Sequence, residues 1–251
     1  MISSLFNVII YEPIYNALAA LVSFVPGGDV GIAIIILTLI IKLILFPLSL
    51  KALRTQAAMR DIDPELKKIK KDYENNKEEQ AKRTMALLKE KKVNPFASIF
   101  LVLIQLPIIF GLYFVFRLEG AGASFDPNLL YPFITNPEMV SFVFLGLITL
   151  TGQNITLAVL VAITQYINAQ LMQIPEPQGK AGSLQHDLTK SMHVQMRYVL
   201  PLVMGFVAYF ISAAIALYFL VSNLFQLFQE IYIRRTKIQK PAVATTAPTT
   251  P

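Results

Sequence analysis

The chain has 251 residues, 55% of them apolar and 15% charged, with a mean hydropathy of +0.55 and neither cysteine nor tryptophan. A soluble domain carries about 25% charged residues. Here the shortfall is confined to residues 30–50, 95–116, 155–174 and 198–233, which hold only Lys42 and Glu230 between them. Windows of about 20 apolar residues match a bilayer core of about 30 Å, so the composition describes an integral membrane protein built as one bundle. The absence of cysteine excludes disulfides, thiolate metal sites, a cysteine nucleophile and a lipidated cysteine anchor.

In chain order, residues 2–25 are apolar but carry Glu12 and Pro13, and Pro26-Gly27-Gly28-Asp29 ends them. Without basic flanks, residues 1–29 read as a helix lying on the outer membrane surface. Residues 1–41 contain no Lys or Arg, so no cleavable secretory signal is expected. Residues 30–50 and 95–116 are the first two spans. Between them lies a charged excursion, 51–94, with 13 basic and 8 acidic residues. Asp63-Pro64-Glu65 is a helix start; Leu66, Ile69 and Tyr73 then recur at 3–4 spacing. Asn75-Asn76 marks a turn, Ala81, Met85 and Leu88 repeat the period, and Asn94-Pro95 stops the helix. Two such helices make an antiparallel hairpin outside the membrane. Bundle connections usually run about 2–8 residues, so a hairpin this long is read as a docking element rather than a connector.

Residues 139–152 (MVSFVFLGLITLTG) are too few for an ordinary span and suit an interfacial or re-entrant piece. A third span follows at 155–174. The 36 residues of 198–233 would make one helix of about 54 Å, too long for a membrane; two spans turning near Ser212–Ala214 solve this. Thirteen Lys and Arg fall in 51–92, three at Lys180, Lys190 and Arg197, and four at Arg234, Arg235, Lys237 and Lys240. Loops rich in Lys and Arg stay in the cytoplasm. The expected fold is therefore all-α: a five-span helical bundle over 30–235, N-out and C-in, with an N-terminal interfacial helix and a cytoplasmic helical hairpin. The tail 236–251, with its low-complexity end PAVATTAPTTP, is expected to be disordered. The net charge of +6 is thus a topology signal, and no direct nucleic-acid contact is implied. His186 and His193 lack a third ligand at useful spacing and read as solvated loop residues.

Lys42 is the unusual residue. It sits near the middle of ILTLIIKLILFPLSL, about eight residues or about 12 Å from the cytoplasmic end of its span, beyond the reach of a snorkelling side chain. Intramembrane charge costs at least about 2.5 kcal/mol and faces water or protein. Thr38 and Ser49 fall on its face by helical spacing, and Pro47 frees a carbonyl nearby. Other spans carry Gln105; Thr164, Gln165 and Asn168; and Ser222, Asn223, Gln226 and Gln229. Taken singly, these amides read first as interhelical hydrogen-bond glue, worth about 0.6 kcal/mol per contact. Lys42 has no carboxylate in any span to pair with except Glu230 at a span end, and so implies a hydrated cavity open to one side.

These residues carry a resemblance to the YidC/Oxa family of membrane protein insertases. Thr38-Leu39-Ile40-Ile41-Lys42 with Phe46-Pro47-Leu48 resembles that family's first core span. Lys92-Val93-Asn94-Pro95 followed by Gln105-Leu106-Pro107-Ile108 is similar to its KVNP and Q-x-P-I run. Leu217-Tyr218-Phe219 with Val221-Ser222-Asn223 resembles its last span. The match covers about residues 30–235 with several motifs in order. The family's groove cation is usually arginine; the matching position here is Lys42. The large periplasmic domain of Gram-negative members and the lipoprotein-type leader of many Gram-positive ones are not expected in this chain.

The resemblance implies a bacterial plasma-membrane insertase and chaperone, with no cofactor and no covalent chemistry. Its hydrophilic groove would open to cytoplasm and lipid and involve Lys42, Thr38, Ser49, Gln105, Gln165, Asn168, Phe219, Ser222 and Asn223. Its hairpin would dock incoming chains through Leu66, Ile69, Tyr73, Met85 and Leu88. Nascent membrane proteins, the lipid bilayer, the ribosome and the Sec translocon are the implied partners. The alternative is a small-molecule or ion transporter using Lys42, but transporters often show repeated spans, and none is visible. An intramembrane enzyme would need a nucleophile with a base, which the sequence does not supply.

Overall fold

Several of the apolar helices begin at a polar side chain, as at Asp29, Asn154 and Ser212. The computed structural model describes residues 2–74, 76–91, 97–119, 125–171, 191 and 194–238, and these are mostly helical. Lys92, Asn94 and Pro95, both histidines and the tail beyond residue 238 lie outside the described residues. The N-terminal segment is α1 (Ile2–Phe6), a π turn (Asn7–Tyr11) and α2 (Glu12–Phe24), with helical backbone at each junction. Pro13 lacks an N–H and would leave a gap in a regular ladder; the wider π turn, in which Glu12 N–H bonds Asn7 O, lies just before it. Tyr15, Leu18, Ala19 and Val22 are buried on one face, while Leu5, Val8, Ile9 and Phe24 point outward. By length and composition the helix Ser4–Phe24 could itself cross a membrane, as could Ala213–Arg235.

A third candidate is a bent pair, α3 (Val30–Ile44) and α4 (Phe46–Asp61). The bend of 60° corrects the expected straight span over 30–50. Pro47 cannot donate to the carbonyl of Leu43 and its ring crowds that turn, so α3 closes with Leu45 N–H on Ile41 O at 3.0 Å. Two expectations fall with the straight helix. Lys42 lies in the last turn of α3 rather than inside a continuous helix, and Ser49 belongs to a second helix, off the continuous face assigned to Thr38 and Lys42.

The charged excursion forms α5 (Asp63–Asp72) and α6 (Lys77–Glu90). Pro64 sits in the first turn of α5, and Asn76 caps α6 by accepting Glu79 N–H at 3.1 Å. The two helices pack through Ile62, Leu66, Leu87 and Leu88, with Ala58 and Ile69 against them. Met85, on the expected stripe, is 54% exposed, and its place in the cluster is taken by Leu87. Lys91 and Glu65 pair across the open end at 3.1 Å, and that hydrogen bond raises the lysine above its ordinary pKa. Glu79, by its hydrogen bond first, does the same for Arg83.

Helix α7 (Ala97–Glu119) keeps its course through Pro107. Residues 139–152 then form a β-hairpin, β1 (Val143–Phe144) against β2 (Ile148–Thr149), antiparallel with Val143 opposite Thr149. This is neither a span nor a helix. Helix α8 (Ile155–Leu171) precedes α9 (Leu200–Ile211), entered through a π turn at Gln195–Val199, and α10 (Ala213–Ile238). The break falls at Ser212, whose backbone is extended (φ −172°, ψ 158°), where two spans were expected to turn.

The β-hairpin closes the exposed backbone of two helix starts. Asp29 caps α3, accepting Gly31 and Ile32 N–H at 2.8 and 3.2 Å, and its second oxygen accepts Leu145 N–H at 2.7 Å. Val30 N–H bonds Ser141 O at 3.0 Å. At the other helix start, Ala213 and Ala214 N–H bond Gly152 O and Leu150 O at 2.7 and 3.0 Å. Gly28, at φ +65°, leaves room for this approach; a Cβ there would lie 2.0 Å from Met139 O. The shared core comprises Tyr15, Leu18, Ile34, Leu112, Leu150 and Ile215, among others, drawn from α2, α3, α7, the hairpin and α10.

Asn16 ties α2 to the loop after α7. It is 1% exposed, accepts Tyr131 N–H at 2.7 Å and donates to Leu129 O at 3.0 Å. Asn16→Ala leaves both backbone groups without this partner, and should cost about 1–3 kcal/mol. A lower unfolding temperature in detergent, with faster proteolysis between residues 125 and 136, is the expected outcome. Unchanged protection of that loop would show that Asn16 does not hold it.

Candidate functional site

The polar residues inside the helices separate into two groups on different sides of α10. On one side, α3, α7 and α10 meet at Lys42. Its Nζ donates to Gln105 Oε1 at 3.2 Å, and Gln105 Nε2 donates in turn to the Tyr218 hydroxyl. Tyr218 is 1% exposed, while Lys42 and Gln105 are half-buried. A cation in the last turn of a helix is favoured by the partial negative charge of the terminal carbonyls. Among the described residues, Lys42 is paired with a neutral amide and with no carboxylate.

One to three turns further along α10 the same side continues. Ser222 is buried one turn beyond Tyr218. Phe225 meets Phe46 edge to face at 6.4 Å. Gln229 Nε2 donates to Ser49 Oγ at 2.6 Å, and Ser49 Oγ also bonds its own helix at Phe46 O, 3.0 Å away. Residues 218, 222, 225 and 229 recur at helical spacing, so a single face of α10 serves α3, α7 and α4. Thr38 is buried one turn before Lys42, and its hydroxyl bonds Ile34 O at 2.6 Å within its own helix.

The other group lies between α8 and α10. Asn168 Nδ2 donates to Asn223 O at 3.0 Å, and Asn223 Nδ2 donates to Thr164 Oγ1 at 3.2 Å. Thr164 Oγ1 closes the set on Leu160 O at 2.8 Å. All three side chains are buried, and their donors are used within the helix pair. This is the interhelical glue that the amides suggested when taken singly. Gly205 tightens the neighbouring α8–α9 contact: a Cβ there would lie 2.7 Å from that of Ala162. Gln165 is half-buried on α8, and Phe219 is part of the apolar core.

The helix ends opposite the β-hairpin carry a third polar set. Arg234 bonds Glu230 at 2.9 Å and also the Leu171 carbonyl, while Arg197 reaches Gln170 on α8. Glu230, the one span carboxylate considered for Lys42, is thus engaged one turn along its own helix. Tyr218 was the residue that sequence reasoning left out of the site. The available signal was its position one turn before Ser222 on a stripe already marked as polar.

No group of three or more His, Cys, Asp and Glu that could hold a metal is found among the described residues. The arrangement offers a cation, amides and hydroxyls inside an apolar bundle.

Comparison with known proteins agrees with the motif reading. Residues 21–240 match the family described as 60Kd inner membrane protein. A membrane protein insertase YidC of Clostridium perfringens is 33% identical over 232 residues, covering 92% of this chain and 89% of the relative. That of Clostridium tetani is 34% identical over 212 residues, 84% of each chain. That of Fusobacterium nucleatum is 31% identical over 228 residues, 88% of this chain and 97% of the relative. A match across most of the sequence, carrying the Lys42, Gln105 and Tyr218 helices together, makes this chain a member of the 60Kd inner membrane protein family.

Proposed function

We propose that this chain is a membrane protein insertase that passes nascent membrane proteins into the bilayer along the polar side of α10. One observation carries the mechanism: Lys42 ends an apolar helix with the neutral Gln105 amide as its hydrogen-bond partner at 3.2 Å. An uncompensated cation at that depth calls for water, and a wet recess partway across lowers the cost of moving a polar segment. The cation also attracts an acidic tail. The apolar part of the incoming chain then passes sideways into lipid. Ser49, Gln105, Ser222 and Gln229 line the polar side of this path, Thr38 and Phe219 pack behind it, and the Asn168–Asn223 pair holds its far wall to α8. Gln165 belongs to the same wall.

The membrane arrangement proposed with this function has five spans: the bent α3–α4 pair, α7, α8, α9 and α10. The segment 2–24 lies on the outer surface, and the ends run N-out and C-in. Support comes from the three basic clusters and from the chain break at Ser212. The hairpin α5–α6 then lies in the cytoplasm and receives incoming chains, and the ribosome and the Sec translocon are partners of the insertase as a whole.

The chain has no native cysteine, so single cysteines report sidedness cleanly. Those at Asn76, Gly179 and Thr245 should react only from the cytoplasmic side, and one at Asp126 only from outside. Outside labelling at Gly179 would overturn the five-span arrangement.

The hairpin separates docking from packing. Met85→Ser removes an exposed apolar side chain and should weaken insertion in proteoliposomes while leaving the hairpin folded. Leu87→Ser buries a hydroxyl in the α5–α6 contact and should unfold the pair, seen as proteolysis near Asn76. Equal insertion by Met85→Ser, by a 64–91 deletion and by the parent would make the hairpin a connector.

For Lys42, Lys42→Arg should retain activity because it keeps the charge. Lys42→Ala should slow insertion of substrates with acidic tails by about fivefold to thirtyfold per carboxylate, for a contact worth about 1–2 kcal/mol, and Lys42→Glu should be worse. The test is one model substrate with zero, one or two tail carboxylates. A loss in Lys42→Ala that ignores tail charge would replace electrostatic capture with hydration, and Lys42→Gln, polar but neutral, would then be active.

A further inference from the structure

The turn of the β-hairpin is built from the wrong residues for water. Leu147 N–H bonds Phe144 O at 2.9 Å, and the two residues between, Leu145 and Gly146, have φ of +50° and +71°. Turns with both central residues at positive φ favour Asn-Gly or Asp-Gly. A leucine there is an uncommon conformation for a residue with a Cβ, and it contributes no turn-stabilising hydrogen bond from its side chain. What it contributes is an apolar side chain at the tip. Leu145 is 61% exposed and Leu147 84%. Phe24, at the end of α2, and Met139, against Gly28, are also exposed near the same helix start.

The height of this tip in the bundle follows from its hydrogen bonds. Asp29 and Ser141 form an isolated parallel bridge, Asp29 holds Leu145 N–H, and Leu150 and Gly152 receive the first N–H groups of α10. The hairpin is therefore level with the first residues of two apolar helices, α3 and α10. With α3 and α10 as spans, as proposed above, that is the depth at which apolar side chains leave the hydrocarbon for the headgroups. From Met139 to Leu171 the chain has no Asp, Glu, Lys or Arg, so nothing charged at the tip opposes contact with lipid.

The structure assigns the Leu145–Leu147 tip as a lipid-embedded wedge: its two leucines insert among the phospholipid chains just below the headgroups, at the end of the bundle where α3 and α10 begin. The occupant of this surface is lipid, because the tip is uncharged, apolar and set at the boundary by its ties to both helices. The depth rests on the proposed spans, and the leaflet, the outer one, on the proposed orientation.

A single cysteine at Leu147 carrying an NBD fluorophore tests this in phosphatidylcholine–phosphatidylglycerol vesicles, with the same label at Asp126 as the aqueous reference. The Leu147 label should emit to the blue of the reference, be quenched by phospholipid bearing a nitroxide near the headgroup, and resist aqueous iodide. Leu145→Asn suits the turn and removes one of the two inserting side chains. In that background the nitroxide quenching should fall toward the reference while the protein stays folded. Iodide quenching equal to the reference with no nitroxide effect overturns the wedge. Disulfide-linked dimers of unlabelled Leu147→Cys that increase with protein density also overturn it, by making a second copy the occupant. Dithionite reaching the Leu147 label from the Asn76 side, with lipid quenching intact, would refute the outward orientation and leave the wedge standing.

Discussion

Backbone polar groups in an apolar surrounding must find partners inside the protein, because hydrocarbon supplies none. This chain interrupts its apolar helices twice, at Leu45 and at Ser212, and each interruption is closed by a different device. At Leu45 the last turn of α3 completes its own ladder before α4 departs at 60°. At Ser212 the first N–H groups of α10 are taken by carbonyls of the β-hairpin, and the Ser212 hydroxyl accepts Ile215 N–H at 3.4 Å. The hairpin is thus a cap shared by two helices, with Asp29 joining it to the first of them. Its small size belies its position: loss of its contacts would strip the starts of both α3 and α10.

The two closures place the polar chemistry. Bending at Leu45 moves Lys42 from mid-helix to a helix end, where terminal carbonyls favour a cation. It also turns Ser49 toward Gln229 instead of Lys42. Breaking at Ser212 starts α10 high in the bundle, so that Tyr218 arrives opposite Gln105 and Lys42. Along α10 the polar residues then divide by face. Tyr218, Ser222 and Gln229 look toward α3, α7 and α4, while Asn223 looks toward α8 and is bonded there on both sides. The two polar sets thus occupy different faces of one helix.

Lys42 is the position at which this chain departs from the arginine usual in the family it resembles. An ammonium is a compact, strongly hydrated charge with three donors, whereas a guanidinium presents a flat fork. One donor of the Lys42 ammonium is used on Gln105. The neutral amide orients the cation without cancelling it, which a carboxylate at that place would do.

Much of the architecture was legible in the sequence because it depends on local chemistry and hydrophobic length. The apolar stretches, the Pro64 and Asn76 helix starts of the hairpin, the break near Ser212 and the family motifs around Thr38–Lys42 and Gln105–Ile108 all follow from short-range rules of period, capping and composition. The place of Lys42 at a helix end did not, because a proline marks where a ladder fails but not the angle at which the next helix leaves. That angle was decided by packing of α4 against α7 and α10. Residues 139–152 read only as too short to span; their pairing into a hairpin depends on Asp29, Gly28 and the start of α10, all distant in sequence. The same holds for Leu87 over Met85 and for the split between the Lys42 and Asn223 groups. Helical spacing names the candidates for a buried face, and only the neighbouring helix, by covering one of them, decides which is used.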